Sequence, residues 1–326
     1  FNVSDEHDYS HCVNFDASSF DDISLSTDTL LERTAHFDPF SPSRRGRGPF
    51  RTVCRTDAGA AVVPFEHDRA DLKSRINDLT AEGQTSIHTG VKWGAALLDP
   101  STRPAIEALI EDGSVDGDFA GRPRDLDEPE VLKVMVVMTD GENTDHDRIP
   151  DGFRSGKSEF WINPDDGRLS LEAERRESER RQCDWFFGWP FNCEYIQGGW
   201  TIQYYVPHRE EWRETPYGGD DALRLDYADL WAAGSYEYIE EIYDDADADM
   251  PFSSLDTVSA SDKDQRLSRI CQAARDAGIV IYTVGFEVND HSAGVLRDCA
   301  SSAGHFFRVE GLEISDAFTA IARQVR

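Results

Sequence analysis

Two short polar stretches carry the oxygen atoms that a hard metal ion prefers. Thr139-Asp140-Gly141 directly follows an apolar run at residues 131–138, and residues 83–90 have the sequence Gly-Gln-Thr-Ser-Ile-His-Thr-Gly. Asp140 supplies a carboxylate, Thr85 supplies a hydroxyl, and Gly141 lets the backbone turn at little steric cost. Such oxygen ligands suit a hard cation such as Mg²⁺. A turn without a ligand is the alternative interpretation, since Asp-Gly is a common turn pair.

The apolar run before Asp140 predicts a buried strand that delivers this carboxylate. Seven of the eight residues from 131 to 138 are apolar, and they show no helical period. This pattern is typical of a central parallel strand that is covered on both faces. Ligands of open α/β sheets bind at the carboxyl ends of such strands. The loop that carries Thr85 leads into a predicted helix at residues 91–98. We expect this loop and the loop that carries Asp140 to meet at the same edge of the sheet.

Helices and strands alternate in two parts of the chain, residues 60–145 and 262–326. Close alternation of this kind predicts right-handed crossovers and a parallel sheet, hence an α/β fold. The predicted helices cover residues 68–83, 105–111, 261–277, 291–303 and 314–325, and the further predicted strands cover residues 60–65, 279–284 and 305–309. Residues 1–59 are predicted to be an irregular N-terminal segment, with a short helix near residues 29–35.

The composition changes after Asp145. Residues 150–250 hold six of the seven Trp and eight of the ten Tyr, among many acidic residues. We interpret residues 146–261 as an acidic, aromatic-rich insertion with its own small core, in which residues 168–181 and 220–233 form helices and residues 201–206 a strand. An aromatic surface that binds carbohydrate or a protein partner is the alternative.

The charge of the chain excludes several classes of partner. The net charge is −30, from 63 acidic and 33 basic residues. A chain with no basic face does not neutralise phosphates, so nucleic acid and anionic membrane surfaces are disfavoured as partners. The acidity indicates a solvating surface, of the kind adapted to salty water. No stretch approaches the roughly 18 continuous apolar residues of a membrane span.

Six cysteines are spread widely over the chain, and none of them forms a Cys-x-x-Cys pair. An even number of this kind is compatible with three disulfides in an oxidising compartment. Neighbour pairing, which joins Cys12 to Cys54, Cys183 to Cys193 and Cys271 to Cys299, is the simplest of the roughly 15 connectivities that six cysteines allow. Reduced, buried cysteines are the alternative.

Three segments together carry a family resemblance. Residues 136–144, Val-Val-Met-Thr-Asp-Gly-Glu-Asn-Thr, resemble the signature strand of von Willebrand factor A domains. Residues 83–100, and the tail from Cys271 through Gly278-Ile-Val-Ile-Tyr-Thr-Val-Gly-Phe to Cys299, are similar to bacterial Tad/Flp pilus-assembly proteins of the TadG type. The resemblance implies a von Willebrand A-like fold, a mostly parallel sheet with helices on both faces, over residues 60–145 and 262–326.

The resemblance also implies a metal-ion-dependent adhesion site. In that family an Asp-x-Ser-x-Ser turn, a Thr and an Asp hold a divalent cation, often Mg²⁺, with Ca²⁺ or Mn²⁺ as alternatives. Thr85 and Asp140 match the second and third elements. The first element is matched in spacing by Asp22, Ser24 and Ser26, but no apolar strand precedes them. We therefore expect the true first element, together with any membrane anchor, upstream of this sequence.

The function implied is that of a non-enzymatic, extracytoplasmic protein of pilus assembly, periplasmic or at the cell surface. Its partner would be a protein, a component of pilus assembly, bound through the cation. One alternative is a secreted or surface adhesin that recognises a ligand through the aromatic insertion. A second is a metal-dependent hydrolase that uses Asp140 and His146. We expect His88 and His146 to be solvated or hydrogen-bonded loop histidines rather than zinc or proton-transfer groups.

Overall fold

The computed structural model describes residues 1–42, 48–80, 83–176, 180–196 and 198–325. The strands are β1 (Asn2–Val3), β2 (Val13–Asn14), β3 (Leu30–Arg33), β4 (Val134–Thr139), β5 (His146–Arg148), β6 (Lys157–Ile162), β7 (Leu169–Arg176), β8 (Arg180–Phe186), β9 (Trp189–Ile196), β10 (Trp200–Val206), β11 (Glu211–Arg213), β12 (Leu223–Asp226), β13 (Asp256–Val258), β14 (Val280–Phe286) and β15 (Phe306–Val309). The helices are α1 (Arg69–Asn77), α2 (Ile87–Ala96), α3 (Arg103–Glu111), α4 (Tyr227–Ala233), α5 (Tyr236–Asp245), α6 (Ala260–Asp276), α7 (Asp290–Cys299) and α8 (Ile314–Gln324).

A parallel sheet forms the centre of one half of the molecule. Its three strands lie in the order β15-β14-β4, and both pairings are parallel. Helices α2, α6 and α7 cover one face, and the core there includes Val91, Met135, Ile270 and Leu296. Helix α8 packs against β14 and β15 from the other face. The predicted α/β fold with a parallel sheet is confirmed, and so are the helices and strands predicted after residue 261.

The position of β4 within this sheet differs from the prediction. Among the described residues β4 pairs with β14 alone, so it is an edge strand. Met135 and Val137 point into the core, whereas Val136 is 41% exposed and Met138 is 47% exposed. The cluster around α8 includes Val134 but neither of these two residues. The prediction of a central strand covered on both faces is therefore wrong for this part of the chain, because no element covers the second face beyond Val134.

Helix α1 has an apolar stripe that nothing in the described chain covers. Asp68 caps the helix as predicted, since its carboxylate accepts hydrogen bonds from the backbone N–H groups of Ala70 and Asp71. The helix ends at Asn77, earlier than predicted. Leu72 and Ile76, the residues on whose spacing the prediction of the helix rests, are both exposed. The strand predicted at residues 60–65 does not form, because it finds no neighbouring strand and Pro64 has no N–H to offer one.

The insertion has a separate core under an antiparallel sheet. Its five strands lie in the order β11-β10-β7-β6-β12, and α4 and α5 complete the core with Trp231 and Ile239. The strand predicted at residues 201–206 is confirmed as β10. The helix predicted at residues 168–181 is wrong: Leu169 and Leu171 are two residues apart and both are buried, the spacing of one face of β7. The helix predicted at residues 220–233 begins only at Tyr227, after β12.

The N-terminal segment is more ordered than predicted, and it joins the two cores. Strand β3 lies between β1 and β2, which replaces the helix predicted at residues 29–35 by a strand held through long-range pairing. Phe20 and Leu31 belong to the core under the parallel sheet. Phe37 belongs to the core of the insertion.

Three disulfides are present, with the neighbour pairing that the sequence analysis gave as the simplest: Cys12–Cys54, Cys183–Cys193 and Cys271–Cys299. The first ties the N-terminal sheet to the segment after it, the second closes the β8–β9 hairpin, and the third joins α6 to α7. Disulfides of this number are typical of an oxidising, extracytoplasmic environment. Within the described ranges, no helix combines the length and apolarity that a membrane crossing requires.

Candidate functional site

The loop that carries Thr85 and the loop that carries Asp140 are bonded to each other directly. The backbone N–H of Thr85 donates to the Thr144 hydroxyl at 3.0 Å, and the backbone N–H of Thr144 donates to the Thr85 carbonyl at 3.2 Å. A Cβ placed on Gly141 would lie 3.7 Å from Thr85 Oγ1, so the hydroxyl lies against the Gly141 backbone. The structure thus brings together the two loops that the sequence analysis paired, at the carboxyl end of β4. We call this edge the rim.

Asp140 is the free carboxylate of the rim. The turn after β4 is closed by Thr139, whose Oγ1 accepts the backbone N–H of Gly141 at 3.1 Å. Asp140 is exposed, and within the described chain its side chain has no hydrogen-bond or ion-pair partner. The turn therefore holds the backbone without using the Asp140 carboxylate. That carboxylate is available to a ligand.

A buried ammonium group supports the rim from below. Lys263 of α6 is fully buried, and its Nζ donates to the Thr85 carbonyl at 3.1 Å and to Ser86 Oγ at 2.8 Å. Burial lowers the pKa of Lys263 to about 8, against the opposing attraction of Asp145. Lys263 positions the Thr85 loop, because its ammonium group donates the hydrogen bond that the Thr85 carbonyl accepts. Its positive charge also moderates the attraction of the rim for a cation.

Asn143 connects the rim to three helices. Its side-chain oxygen accepts the backbone N–H of Ile87 at 2.8 Å, at the start of α2. Its side-chain nitrogen donates to Asp264 of α6 at 2.8 Å, and the other oxygen of Asp264 lies 2.8 Å from His291 Nε2 on α7. Asn143 itself is buried. A buried amide that satisfies both neighbours fixes the loop after Asp140 in one conformation.

Sequence reasoning missed Asn143 and Lys263, although each carried a signal. Lys263 is one of five lysines in the chain, and it lies on a helix whose buried residues include Leu267 and Ile270. A lysine on the buried side of an amphipathic helix is rarely fully buried unless it has a partner. Asn143 stands two residues after the predicted turn, where a polar side chain had no assigned role.

The turn at residues 22–26 is held elsewhere. Lys92, in the C-terminal half of α2, donates through Nζ to the carbonyls of Asp22 at 2.7 Å and Ser24 at 2.8 Å. The Asp22 carboxylate accepts the backbone N–H of Ser24, which lowers the pKa of Asp22. Ser101, which follows α2, accepts the backbone N–H of Leu25 at 2.8 Å. Thr85 and Asp140 are not among these hydrogen-bond partners.

The rim offers oxygen ligands but only part of a metal cage. Mg²⁺ takes about six oxygen ligands and usually keeps several waters. Thr85 and Asp140 supply a hydroxyl and an unpartnered carboxylate, which is the ligand chemistry that a hard cation prefers. In the described ranges, no group of three or more His, Cys, Asp or Glu side chains is placed to hold a metal. The two residues fit a cation that is completed by water and by another segment or a partner.

His88 and His146 do not lie on the open face of the rim. His88 is 2% exposed and lies on α2, so it is neither solvated nor on a loop, but the hydrogen-bonded alternative holds, since its Nε2 lies 3.4 Å from the Thr89 hydroxyl oxygen. Burial, together with the positive charge of Lys263, lowers the pKa of His88 to about 3 and that of His146 to about 4. Both rings are therefore neutral near pH 7. They line a cavity next to the rim.

Comparisons of the chain with protein-family models, with curated proteins and with solved structures each found no match. Functional assignment for this chain thus depends on its own residues and geometry.

Proposed function

We propose that this chain binds a partner protein through a divalent cation held on the rim by Thr85 and Asp140. The observation that carries the proposal is the exposed, unpartnered Asp140 carboxylate at the end of a parallel strand, with the Thr85 loop bonded beside it. A cation there, Mg²⁺ before Ca²⁺ or Mn²⁺, would share its remaining coordination with water and a carboxylate of the partner. The role is binding rather than catalysis.

The wider setting of the proposal is a von Willebrand A-like protein of the Tad/Flp pilus-assembly type. The three motif segments, in this order, support it, and so does the parallel sheet that contains two of them. Three disulfides fit an extracytoplasmic location, in the periplasm or at the cell surface. The partner would then be a pilus-assembly component. Membrane anchoring stays a prediction from the resemblance.

The uncovered surfaces of the α/β half also support a larger von Willebrand A-like sheet. Strand β4 has a free edge, and its Val136 and Met138 side chains are exposed beside it. A further parallel strand at this edge would pair with the backbone of β4 and end next to Asp140, and an element packed on the open face would bury the two side chains. Such a strand, followed by an Asp-x-Ser-x-Ser turn, would add the missing ligands to the rim.

Isothermal titration of Mg²⁺ into the whole protein tests the proposal. We expect saturable binding by the wild type, strong loss in Asp140→Ala, and a smaller loss in Thr85→Ala, because a carboxylate contributes more to a hard cation than a hydroxyl does. Asp244→Ala, an exposed carboxylate on α5, is the matched control and should bind as the wild type. Asp22→Ala should also bind normally. Equal binding by the wild type and Asp140→Ala would refute the assignment.

One observation favours a second candidate function, adhesion through the aromatic hairpin. Trp185 is 71% exposed, Phe187 is 90% exposed and Trp189 is 77% exposed, at the tip of the hairpin closed by Cys183–Cys193. Exposed aromatic clusters of this kind mark binding surfaces. On this hypothesis the double variant Phe187→Ser, Trp189→Ser loses binding to an array of immobilised glycans, while its Mg²⁺ titration remains that of the wild type. Unchanged glycan binding would contradict it.

A further inference from the structure

A cavity of about 800 Å³ lies between the N-terminal segment and the loops behind the rim. Its walls come from residues 12–15 and 34–37, from residues 50–57, from Ser86 to Thr89 at the start of α2, from residues 146–149, and from Arg266 of α6. This volume is in the range of sites that enclose a small organic ligand. Thr85 and Asp140 are not part of the wall, so the cavity is distinct from the rim.

Among the described residues, arginine is the most frequent charged residue of the cavity wall. The chain as a whole has a net charge of −30. The wall contains five arginines against three aspartates, with two histidines that are neutral near pH 7. The arginines are Arg51, Arg55, Arg148, Arg154 and Arg266. Three of these arginines form ion pairs with carboxylates, so the positive charge that remains for an anion lies on Arg51 and Arg266.

Two of these arginines have no carboxylate partner in the described part of the chain. Arg55 pairs with Asp57, and Arg148 and Arg154 both pair with Glu32. Arg266 and Arg51, by contrast, lie over aromatic rings that also line the cavity, with the guanidinium carbon 5.7 Å from the ring centroid of Phe20 and 5.5 Å from that of Phe40.

Arg266 is the stronger candidate of the two, because it is half-buried whereas Arg51 is exposed. Burial lowers the pKa of the Arg266 guanidinium. Asp262 and Asp16 attract the guanidinium, but within the described chain neither forms an ion pair with it. A partly desolvated charge with no close counter-ion is costly, and an anion placed against it would relieve that cost. The flat guanidinium fork also matches a carboxylate in a two-point contact.

Polar atoms deep in the wall are also without partners. His88 is almost completely buried, and its Nδ1 has no hydrogen-bond partner in the described chain. Nδ1 of His146 and Nε of Arg154 are likewise buried and have no hydrogen-bond partner in the described chain. Buried polar atoms are nearly always satisfied in folded proteins, by protein, water or ligand. These three atoms belong to residues that also line the cavity.

We propose that this cavity binds a small organic anion, with its carboxylate-type group on Arg266 and its apolar body against the aromatic part of the wall. Phe40 and Phe50 present accessible ring surface there. Phe15, Phe20 and Phe37, by contrast, are buried behind it. The site is independent of the cation on the rim. It shares with the rim only the loop of residues 83–90, of which Gln84, Ser86, His88 and Thr89 face the cavity.

The matched ligands 1-naphthoate and 1-naphthamide test the proposal, because they have the same shape and differ in charge at neutral pH. Isothermal titration into the whole protein should show tighter binding of naphthoate than of naphthamide. The Arg266→Gln variant should weaken naphthoate binding by about tenfold or more and leave naphthamide binding unchanged, as expected for one lost charged hydrogen bond. Arg269→Gln is the control, since Arg269 lies on the same helix and bonds to Asp21 and Ala17 instead.

Three results would overturn the proposal: no binding of either ligand, equal affinity for both ligands, or unchanged naphthoate affinity in Arg266→Gln. Loss of both ligands in Arg266→Gln would indicate that the cavity had collapsed. The Arg266→Lys variant then distinguishes a collapsed cavity from a wrong proposal. It keeps the positive charge, so on the proposal it must still bind naphthoate more tightly than naphthamide. A Lys variant that binds naphthamide but shows no such preference also refutes the site.

Discussion

The two halves of the molecule differ in which of their apolar side chains are buried and which are exposed. In the insertion, the inner faces of the antiparallel sheet and of α5 are closed, with Phe160, Leu171 and Ile239 fully buried. In the α/β half, β4 and α1 expose Val136, Met138, Leu72 and Ile76, side chains of the kind that normally face a core. The insertion also exposes Trp200 and Ile202 of β10 and Leu223 of β12, besides the aromatic residues of the disulfide-closed hairpin.

This difference indicates which surface is suited to bind another segment or chain. A hairpin tip is a protrusion, and its exposure does not interrupt a core. An edge strand with an uncovered apolar face and a free row of backbone groups is a site for strand addition. It lies next to the proposed cation ligand Asp140. The comparison therefore separates an insertion whose core is closed with the help of Phe37 from an α/β half with an open sheet edge in the described chain.

The largest contrast should come from one substitution in each half. Trp231→Ala removes a fully buried ring whose Nε1 donates to the Phe153 carbonyl at 2.7 Å, and we expect a loss of about 3–5 kcal/mol in the free energy of unfolding. Val136→Ser on the exposed face of β4 should change it by less than about 0.5 kcal/mol. Urea unfolding measures both. A large loss from Val136→Ser would show that this face is covered in the protein.

The next effect concerns the support of the rim. Lys263→Met leaves the Thr85 carbonyl and the Ser86 hydroxyl without their buried donor, and we expect destabilisation by about 1–3 kcal/mol. Lys157→Met is the control, because Lys157 is exposed and pairs at the surface with Asp226. Its change should stay below about 1 kcal/mol. Equal losses in the two variants, measured by urea unfolding, would contradict the supporting role of Lys263.

A further effect is a pH dependence of the free energy of unfolding. The pKa of His88 is about 3 in the folded chain and about 6.5 in the unfolded chain, so between these values the unfolded chain binds a proton that the folded chain refuses. Stability therefore contains a His88 term that is full above about pH 6.5 and falls on acidification, by roughly 1 kcal/mol per pH unit.

The His88→Gln variant removes this term, and its stability should fall less steeply than that of the wild type between pH 6.5 and pH 4. The double variant with His146→Gln should be less steep again, because the pKa of His146 is lowered to about 4 by the same burial. Urea midpoints across this pH range give the slopes. A slope unchanged by His88→Gln would contradict the burial of a neutral ring.

Sequence patterns predicted the α/β half well because its elements carry their own signals. Helix α6 and strand β14 have apolar periods that match their structures, and Asp140 stands where a strand must end. The failures share a cause. Strand β3 exists because of partners elsewhere in the chain, and the face that β7 buries depends on the sheet around it. Local pattern does not contain that information.

The same limit applies to the rim. Thr85 and Asp140 are local features of two loops, and the sequence predicted both. The residues that hold the rim together act over long distances: Lys263 reaches Thr85 across 178 positions, and Asn143 reaches Asp264 across 121. The cavity could not be predicted either, because Phe20, His88 and Arg266 come from three separate segments.

A crystal of the whole protein soaked in Mn²⁺ tests the central claim most directly. Mn²⁺ accepts the oxygen ligands that suit Mg²⁺ and gives an anomalous X-ray signal that marks its position. The account predicts one anomalous peak within coordinating distance of the Asp140 carboxylate and the Thr85 hydroxyl. A peak at another site, with none beside Asp140, would contradict it.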